Sequence, residues 1–192
     1  MLRTLIAIFG LLASFSLGAA SPQVEIRTNM GAITVELYPD KAPETVKNFL
    51  QYAQDGFYNG TVFHRVIDGF MIQGGGFTSD LKKKATRAPI PIESQNGLRN
   101  EVGAISMART PDPNSATSEF FINLVNNDGL NYPGRDGHGY TVFGKVIKGM
   151  EVVEKIAKIP TEIRPPHQNV PVETVLITGA RVVGTPAKKT AK

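Results

Sequence analysis

Short segments in which apolar and polar residues alternate recur along most of the chain, and they constrain its fold more than any other feature. This alternation is typical of β-strands with one buried face. Clusters of Gly, Pro, Asn and Asp, which favour turns, separate the segments. The predicted strands are Val24–Ile26, Ile33–Leu37, Thr61–Val66, Phe70–Gln73, Gly103–Ala108, Phe120–Asn123, Tyr140–Val146 and Val175–Val182. Because many strands accompany few helices, we expect a closed antiparallel barrel with helices covering its ends.

Two segments have the period of a helix instead. The first carries an apolar stripe at i, i+3, i+4 and i+7, which is the spacing of one helical face. The stripe consists of Val46, Phe49, Leu50 and Ala53. Asp40 is a candidate cap for this helix, Pro43 fits its first turn, and Gly56 ends it. The second predicted helix is Met150–Ile159.

The first 20 residues have the features of a secretory signal peptide. Arg3 supplies a positive charge, and the apolar run Leu5–Ala13 is short for a membrane span, which needs about 20 residues. Small residues at Gly18–Ala20 suit cleavage. We therefore expect a signal peptide over 1–20, with no stable membrane association after cleavage. An uncleaved anchor is the alternative. One domain is expected over 21–184 and a basic, disordered tail over 185–192.

Charge and residue usage exclude several kinds of function. The formal net charge is +4, but Arg3, Lys188, Lys189 and Lys192 lie at the ends and leave the domain nearly neutral. Nucleic-acid binding needs a basic stripe on the fold, so we expect no nucleic-acid partner. The absence of cysteine excludes a thiol nucleophile and a disulfide. The three histidines are scattered and lack ligand spacing, so we expect no metal site.

The segment FHRVIDGFMIQGGG, at residues 63–76, holds the densest group of chemically distinctive side chains. Strict alternation along Thr61–Val66 places Arg65 on the same strand face as Phe63 and places His64 on the opposite face. An aromatic, a thioether and an amide follow after a turn, at Phe70, Met71 and Gln73. The three glycines at the end allow another part of the chain to approach the backbone closely.

This segment resembles the cyclophilin signature FHR–(I/V)I–x–GFMIQGG. Three more blocks resemble those of the same family in the same order: SMAR at 106–109, SEFFI at 118–122 and YTVFGKV at 140–146. The resemblance covers about residues 23–183 and, with the leader, is closest to the bacterial periplasmic cyclophilins. It implies an eight-stranded antiparallel barrel capped by two helices, peptidyl-prolyl cis-trans isomerase activity without a cofactor, and a periplasmic location.

The resemblance also assigns roles by motif position. Arg65 is the expected catalytic residue, and Gln73 is expected to orient it. Ala108 and the backbone of Arg109 are expected to hold the peptide beside the proline. The expected lining of the proline pocket is Phe70, Met71, Phe121 and Leu130. The implied partners are proline-containing segments of unfolded proteins, and the protein is expected to be a monomer.

The sequence departs from the family pattern at the site. Glu119 stands where most members carry glutamine, and an ionised carboxylate accepts hydrogen bonds but cannot donate them. We expect Glu119 to lie near Arg65 and to pair with it. Gly129 stands where eukaryotic members often carry tryptophan, and Tyr140, also assigned to the site, where many carry histidine.

Two alternative functions remain open from the sequence. The chain could be a proline-peptide binding chaperone with little turnover, or a structural subunit of an envelope assembly. Arg65 favours turnover, because binding alone needs only the apolar pocket. Isomerisation breaks no bond, so it requires neither nucleophile nor metal.

Overall fold

The computed structural model describes residues 21–184. The strands that form the main sheet are β1 (Gln23–Thr28), β2 (Gly31–Leu37), β3 (Thr61–Ile67), β4 (Met71–Thr78), β5 (Ala104–Met107), β6 (Phe120–Asn123), β7 (Val142–Lys148) and β10 (Leu176–Val182). The helices are α1 (Pro43–Gln54) and α2 (Met150–Ala157), with a short 3-10 turn at Asp128–Leu130. A separate hairpin consists of β8 (Thr161–Arg164) and β9 (His167–Pro171). The predicted leader over 1–20 and the tail over 185–192 lie outside the described residues.

The eight strands close into an antiparallel barrel in the order β1-β10-β3-β4-β6-β5-β7-β2. This confirms the predicted fold, and each predicted strand has a counterpart in it. The hairpin β8–β9 was not predicted. Most of β8 is exposed, and its sequence, TEIR, shows no apolar alternation that would indicate a strand. Within residues 21–184, neither helix has the length and apolar character that crossing a membrane requires.

Helix α1 covers the interior of the barrel with its predicted apolar stripe. Val46, Phe49 and Ala53 are buried, and Leu50 packs at the margin of the core. The ring of Phe49 lies 5.6 Å from that of Phe120 on β6, in an edge-to-face arrangement. Such aromatic contacts add to the stabilisation that burial provides. The helix and the strands therefore share one core.

The start of α1 differs from the sequence-based expectation. Asp40 does not cap the helix, because the residue at the N-cap position is Ala42, which has no side-chain bond to offer. The carboxylate of Glu93 takes this role from a distant loop. It accepts from the backbone N–H of Glu44 at 3.1 Å and from that of Thr45 at 2.8 Å. The sequence could predict a cap only from residues next to the helix, and Glu93 lies 49 residues from Glu44 in the chain.

Candidate active site

A cavity of about 200 Å³ lies against strands β3, β4 and β6. Its walls contain all the predicted site residues except Glu119: Arg65, Phe70, Met71, Gln73, Ala108, Arg109, Phe121, Leu130 and Tyr140. Met71 and Phe121 are buried but do not belong to the cluster that fills the barrel. They face outward from their strands, so the cavity is on the outer side of the barrel wall.

A bulge in β3 directs Arg65 into this cavity. Phe63 pairs with Gly74 and Arg65 pairs with Gln73, so two steps along β3 correspond to one step along β4. Phe63 and Val66, three residues apart, both belong to the barrel core. Strict alternation does not allow this spacing, but an extra residue in one strand does. The expectation that Phe63 and Arg65 share a face, with His64 opposite, was wrong for this reason.

The guanidinium of Arg65 is held by a chain of polar side chains. Nη1 of Arg65 donates to Oε1 of Gln73 at 3.2 Å, and Nε2 of Gln73 donates to Oε2 of Glu119 at 3.0 Å. The two bonds use both ends of the Gln73 amide. Glu119 was expected to pair directly with Arg65. Instead Gln73 lies between them, and Arg65 takes part in none of the ion pairs of residues 21–184.

Glu119 and His64 titrate abnormally because both are buried. The side chain of Glu119 is 17% exposed, and burial raises its pKa above the ordinary value of 4.5, against the hydrogen bond from Gln73. His64 is 7% exposed, and burial lowers its pKa to about 4, with the nearby His167 and Arg65 acting in the same direction. His64 is therefore neutral near pH 7, although its Nε2 lies 3.4 Å from Oε2 of Glu119.

The three glycines of β4 allow the close approach that the sequence predicted. A Cβ on Gly74 would lie 2.9 Å from the carbonyl oxygen of Val62, and one on Gly75 would lie 2.8 Å from the ring of Phe120. A Cβ on Gly76 would meet Cγ of Glu119 at 2.4 Å. The carboxylate behind Gln73 therefore occupies space that only glycine leaves open.

The histidines are less scattered than their positions in the sequence indicate. The ring of Phe77 lies 4.6 Å from that of His64 and 4.8 Å from that of His167, which β9 supplies. No group of three metal-ligating side chains is present in the described part of the chain. Sequence reasoning missed His167 because the hairpin that carries it was not predicted.

The side chain of Arg109 builds the wall of the site. It is 3% exposed, donates to the carbonyl of Gly139 at 2.7 Å, pairs with Asp136 and lies 4.5 Å from the ring centroid of Tyr140. These contacts fix the loop that carries Tyr140. Its ring meets that of Phe121 edge-on at 5.7 Å. Arg109 is also among the residues that line the cavity, and the role predicted for its backbone stays a prediction.

Comparison with known proteins identifies relatives of this chain. The family model described as cyclophilin type peptidyl-prolyl cis-trans isomerase/CLD matches residues 23–182. The chain is 53% identical to a peptidyl-prolyl cis-trans isomerase of Acinetobacter baylyi over 180 residues, which are 94% of this chain and 95% of that protein. It is 54% identical to peptidyl-prolyl cis-trans isomerase B of Escherichia coli over 161 residues, which are 83% of this chain and 98% of that protein.

A solved structure of a cyclophilin type isomerase from Cryptosporidium parvum has the same fold. The TM-score is 0.71 at 28% identity, and the match covers 86% of this chain and 99% of that one. A second structure of that protein, determined in the presence of the dipeptide Ala-Pro, gives a TM-score of 0.70 at 28% identity and covers 84% of this chain and 99% of that one.

Proposed function

The chain belongs to the cyclophilin-type peptidyl-prolyl cis-trans isomerases, and from this premise we propose that Arg65 catalyses X-Pro isomerisation in unfolded, exported proteins. The observation that carries the proposal is the position of its guanidinium. The group borders the cavity that also holds the apolar side chains Phe70, Met71 and Phe121, and it donates to the amide of Gln73.

The reaction requires charge stabilisation and no bond cleavage. Rotation about the peptide C–N bond has a barrier of about 18–20 kcal/mol because resonance gives the bond double-bond character. Acceleration from tens of seconds to milliseconds requires roughly 5.5–7 kcal/mol. In the twisted transition state conjugation is lost, and the proline nitrogen becomes pyramidal with a localised lone pair. A cationic donor directed at that nitrogen stabilises this state more than the planar ground state.

Arg65 suits this role, and the cavity beside it suits the proline ring. Its guanidinium is permanently charged and has a fixed set of donors. The bond to Gln73 occupies Nη1, so other N–H groups remain available for substrate. The apolar side chains Phe70, Met71, Phe121 and Leu130 surround a volume of about 200 Å³. They would hold the ring in place while the preceding carbonyl rotates.

Export supplies the proposed class of substrate. The leader over 1–20 has the charge, apolar run and small residues of a cleavable signal peptide, which favours the periplasm as the location. Exported chains arrive unfolded, and their X-Pro bonds isomerise slowly without a catalyst. N-terminal sequencing of the mature protein from the periplasmic fraction is expected to begin at Ser21. A protein that retains residues 1–20 in the membrane fraction would exclude this location.

One experiment separates catalysis from binding. Arg65→Ala is expected to lower kcat/KM for a short Ala-Pro peptide by roughly 100-fold or more. Removing one hydrogen-bond donor that faces a developing charge has an effect of this size in other enzymes. Binding of the peptide, followed by NMR titration, is expected to persist. Arg27→Ala on β1, an exposed arginine that pairs with Glu25, is the matched control.

The outcome also decides between the proposed function and its alternative. Equal rates for the wild type and Arg65→Ala would refute the role of Arg65. Peptide binding without measurable turnover in the wild type would instead identify a proline-peptide binding chaperone. The expected monomeric state stays a prediction, which the molar mass in solution tests.

A further inference from the structure

A second cavity adjoins the one that contains Arg65. Its volume is about 350 Å³, and it shares Phe70, Leu130 and Tyr140 with the first. Its remaining walls are formed by Asn127, Gly129, Arg135 and Asp136. The second cavity therefore begins beside the proline pocket, and Asn127, Arg135 and Asp136 supply its polar groups.

The polar neighbours of Arg135 in this cavity are already engaged. Asp136 pairs with Arg109 and accepts from the backbone N–H of His138 and of Gly139, each at 3.0 Å. The bond from Arg109 is the main reason that the pKa of Asp136 is held well below its usual range. Its charge is therefore compensated within the loop.

Two further polar side chains, Asn127 in the wall of the cavity and Asp128 next to it in the chain, are also engaged. Nδ2 of Asn127 donates to the carbonyl of Phe70 at 3.0 Å and to Oδ1 of Asn123 at 2.7 Å. Asp128, next to Gly129 in the chain, pairs with Arg99 at 2.7 Å. Among the described residues, Asp136 and Asp128 thus form their ion pairs with other arginines and not with Arg135.

Arg135 itself is exposed and has neither a hydrogen bond nor an ion pair among residues 21–184. Its guanidinium lies against bare backbone, because a Cβ on Gly129 would be 3.5 Å from Nε of Arg135. A large side chain at position 129 would compete for this space. The glycine thus leaves a cationic, solvent-accessible wall beside the proline pocket.

We propose that this second cavity is a substrate subsite in which Arg135 binds the carboxylate of an Asp or Glu close to the proline. The inference rests on the proposed function, because the proline must occupy the adjoining cavity. The two cavities share three residues, and consecutive Cα atoms are about 3.8 Å apart, so a side chain one or two residues from the proline reaches the guanidinium. The chain then prefers acidic segments around the proline.

The test compares short peptides of one sequence that carry Glu, Gln or Lys at each position within two residues of the proline. At low ionic strength we expect kcat/KM for the Glu peptide to exceed that for the Gln peptide by about two- to five-fold at one position, as for a solvent-exposed ion pair. The Lys peptide is expected to be the poorest there. The preference should shrink as salt screens the charges.

Variants assign the preference to Arg135. Arg135→Gln is expected to remove the ratio between the Glu and Gln peptides, and Arg135→Glu to invert the order of the Glu and Lys peptides. Arg27→Gln, which removes one positive charge from β1, is expected to keep the wild-type ratio. A ratio near one at every position, or one that survives Arg135→Gln, would overturn the subsite.

Binding measured by isothermal titration on the same peptides separates the two failures. If the wild type turns over none of the peptides but binds the Glu peptide more tightly than the Gln peptide, the proposed function is overturned and the subsite is supported. If every peptide is turned over at the same rate and bound with the same affinity, the subsite is overturned and the proposed function is supported.

Discussion

At the scale of single residues, Glu119 sets the orientation of the group that holds Arg65. A carboxylate only accepts, so Nε2 of Gln73 points at Glu119 and Oε1 points at Arg65. A glutamine at position 119 can accept or donate, and it would fix the Gln73 amide less strictly. A protonated Glu119 can also donate as well as accept, so it too would fix the orientation of the Gln73 amide less strictly. We therefore expect Glu119 to act as a positioning residue through Gln73.

Glu119→Gln is expected to flatten the pH profile of isomerisation. Because burial raises the pKa of Glu119 above 4.5, the wild type gains this proton earlier than an ordinary glutamate as the pH falls. We expect its kcat/KM to fall a few-fold as the pH is lowered from neutral towards 4.5, with KM nearly constant, since Arg65 loses its fixed partner. The variant should show little change over this range. Identical profiles would contradict the role of Glu119.

The sequence predicted which residues line the first cavity more reliably than it predicted the contacts between their side chains. The motif blocks assigned the residues that line the first cavity, because matched positions on β3, β4 and β6 meet in any barrel of this topology. The contact from Gln73 to Glu119 could not be predicted. It depends on the bulge at His64 and on the space over Gly76, and both arise only when the strands pair and pack in the folded chain. Arg135 gave no signal beyond its charge.

At the scale of elements, the cap of α1 links the helix to a loop 49 residues further along the chain. Glu93 receives three hydrogen bonds there, two from backbone N–H groups and one from Oγ1 of Thr45 at 2.7 Å. An anion at a helix N-terminus satisfies unpaired donors and interacts favourably with the helix dipole. The helix in turn covers one end of the barrel.

Glu93→Ala is expected to lower the free energy of unfolding by about 1–2 kcal/mol, which is the usual effect of removing an N-cap side chain. Urea denaturation measures this change. Glu154→Ala on α2 is the matched control, because this exposed glutamate has no ion pair among the described residues, and it is expected to change stability by less than about 0.5 kcal/mol. Equal effects of the two substitutions would rule out the cap.

The accuracy of the element predictions follows from burial. Strands of the barrel alternate because one face packs on the core, and the stripe of α1 is apolar because it covers the same core. Strand β8 has no such face and is mostly exposed, so its sequence contains no matching pattern. Its pairing with β9 depends on main-chain bonds that many sequences could form.

At the scale of the whole molecule, the hairpin β8–β9 places His167 beside His64 on the barrel wall. Their ring centroids are 6.1 Å apart, and Phe77 contacts both rings. His64 also faces Glu119, at 3.4 Å, and lies next to Arg65 in the chain. A proton on His64 would introduce charge into a buried position that already faces a second imidazole. The neutral form of His64 is therefore part of the folded state.

This makes the stability of the molecule sensitive to acid. The pKa of His64 is about 4 in the folded protein and 6.5 for an ordinary histidine. Since the folded pKa is the lower one, the contribution of His64 is fully present above about pH 6.5 and is lost as the pH falls through about 4. The difference corresponds to about 3 kcal/mol. Glu119 opposes this trend, because its raised pKa favours proton uptake by the folded state.

His64→Gln is accordingly expected to reduce the loss of stability between about pH 7 and pH 4 by up to about 3 kcal/mol. Urea denaturation at several pH values measures the loss for each protein. His138→Gln, which replaces an exposed histidine, is expected to follow the wild-type curve. In the Glu119→Gln variant the opposing proton uptake is gone, so the total loss of stability over this range should become larger than in the wild type. A wild type and a His64→Gln variant that lose the same free energy over this range would show that His64 does not link acid to unfolding.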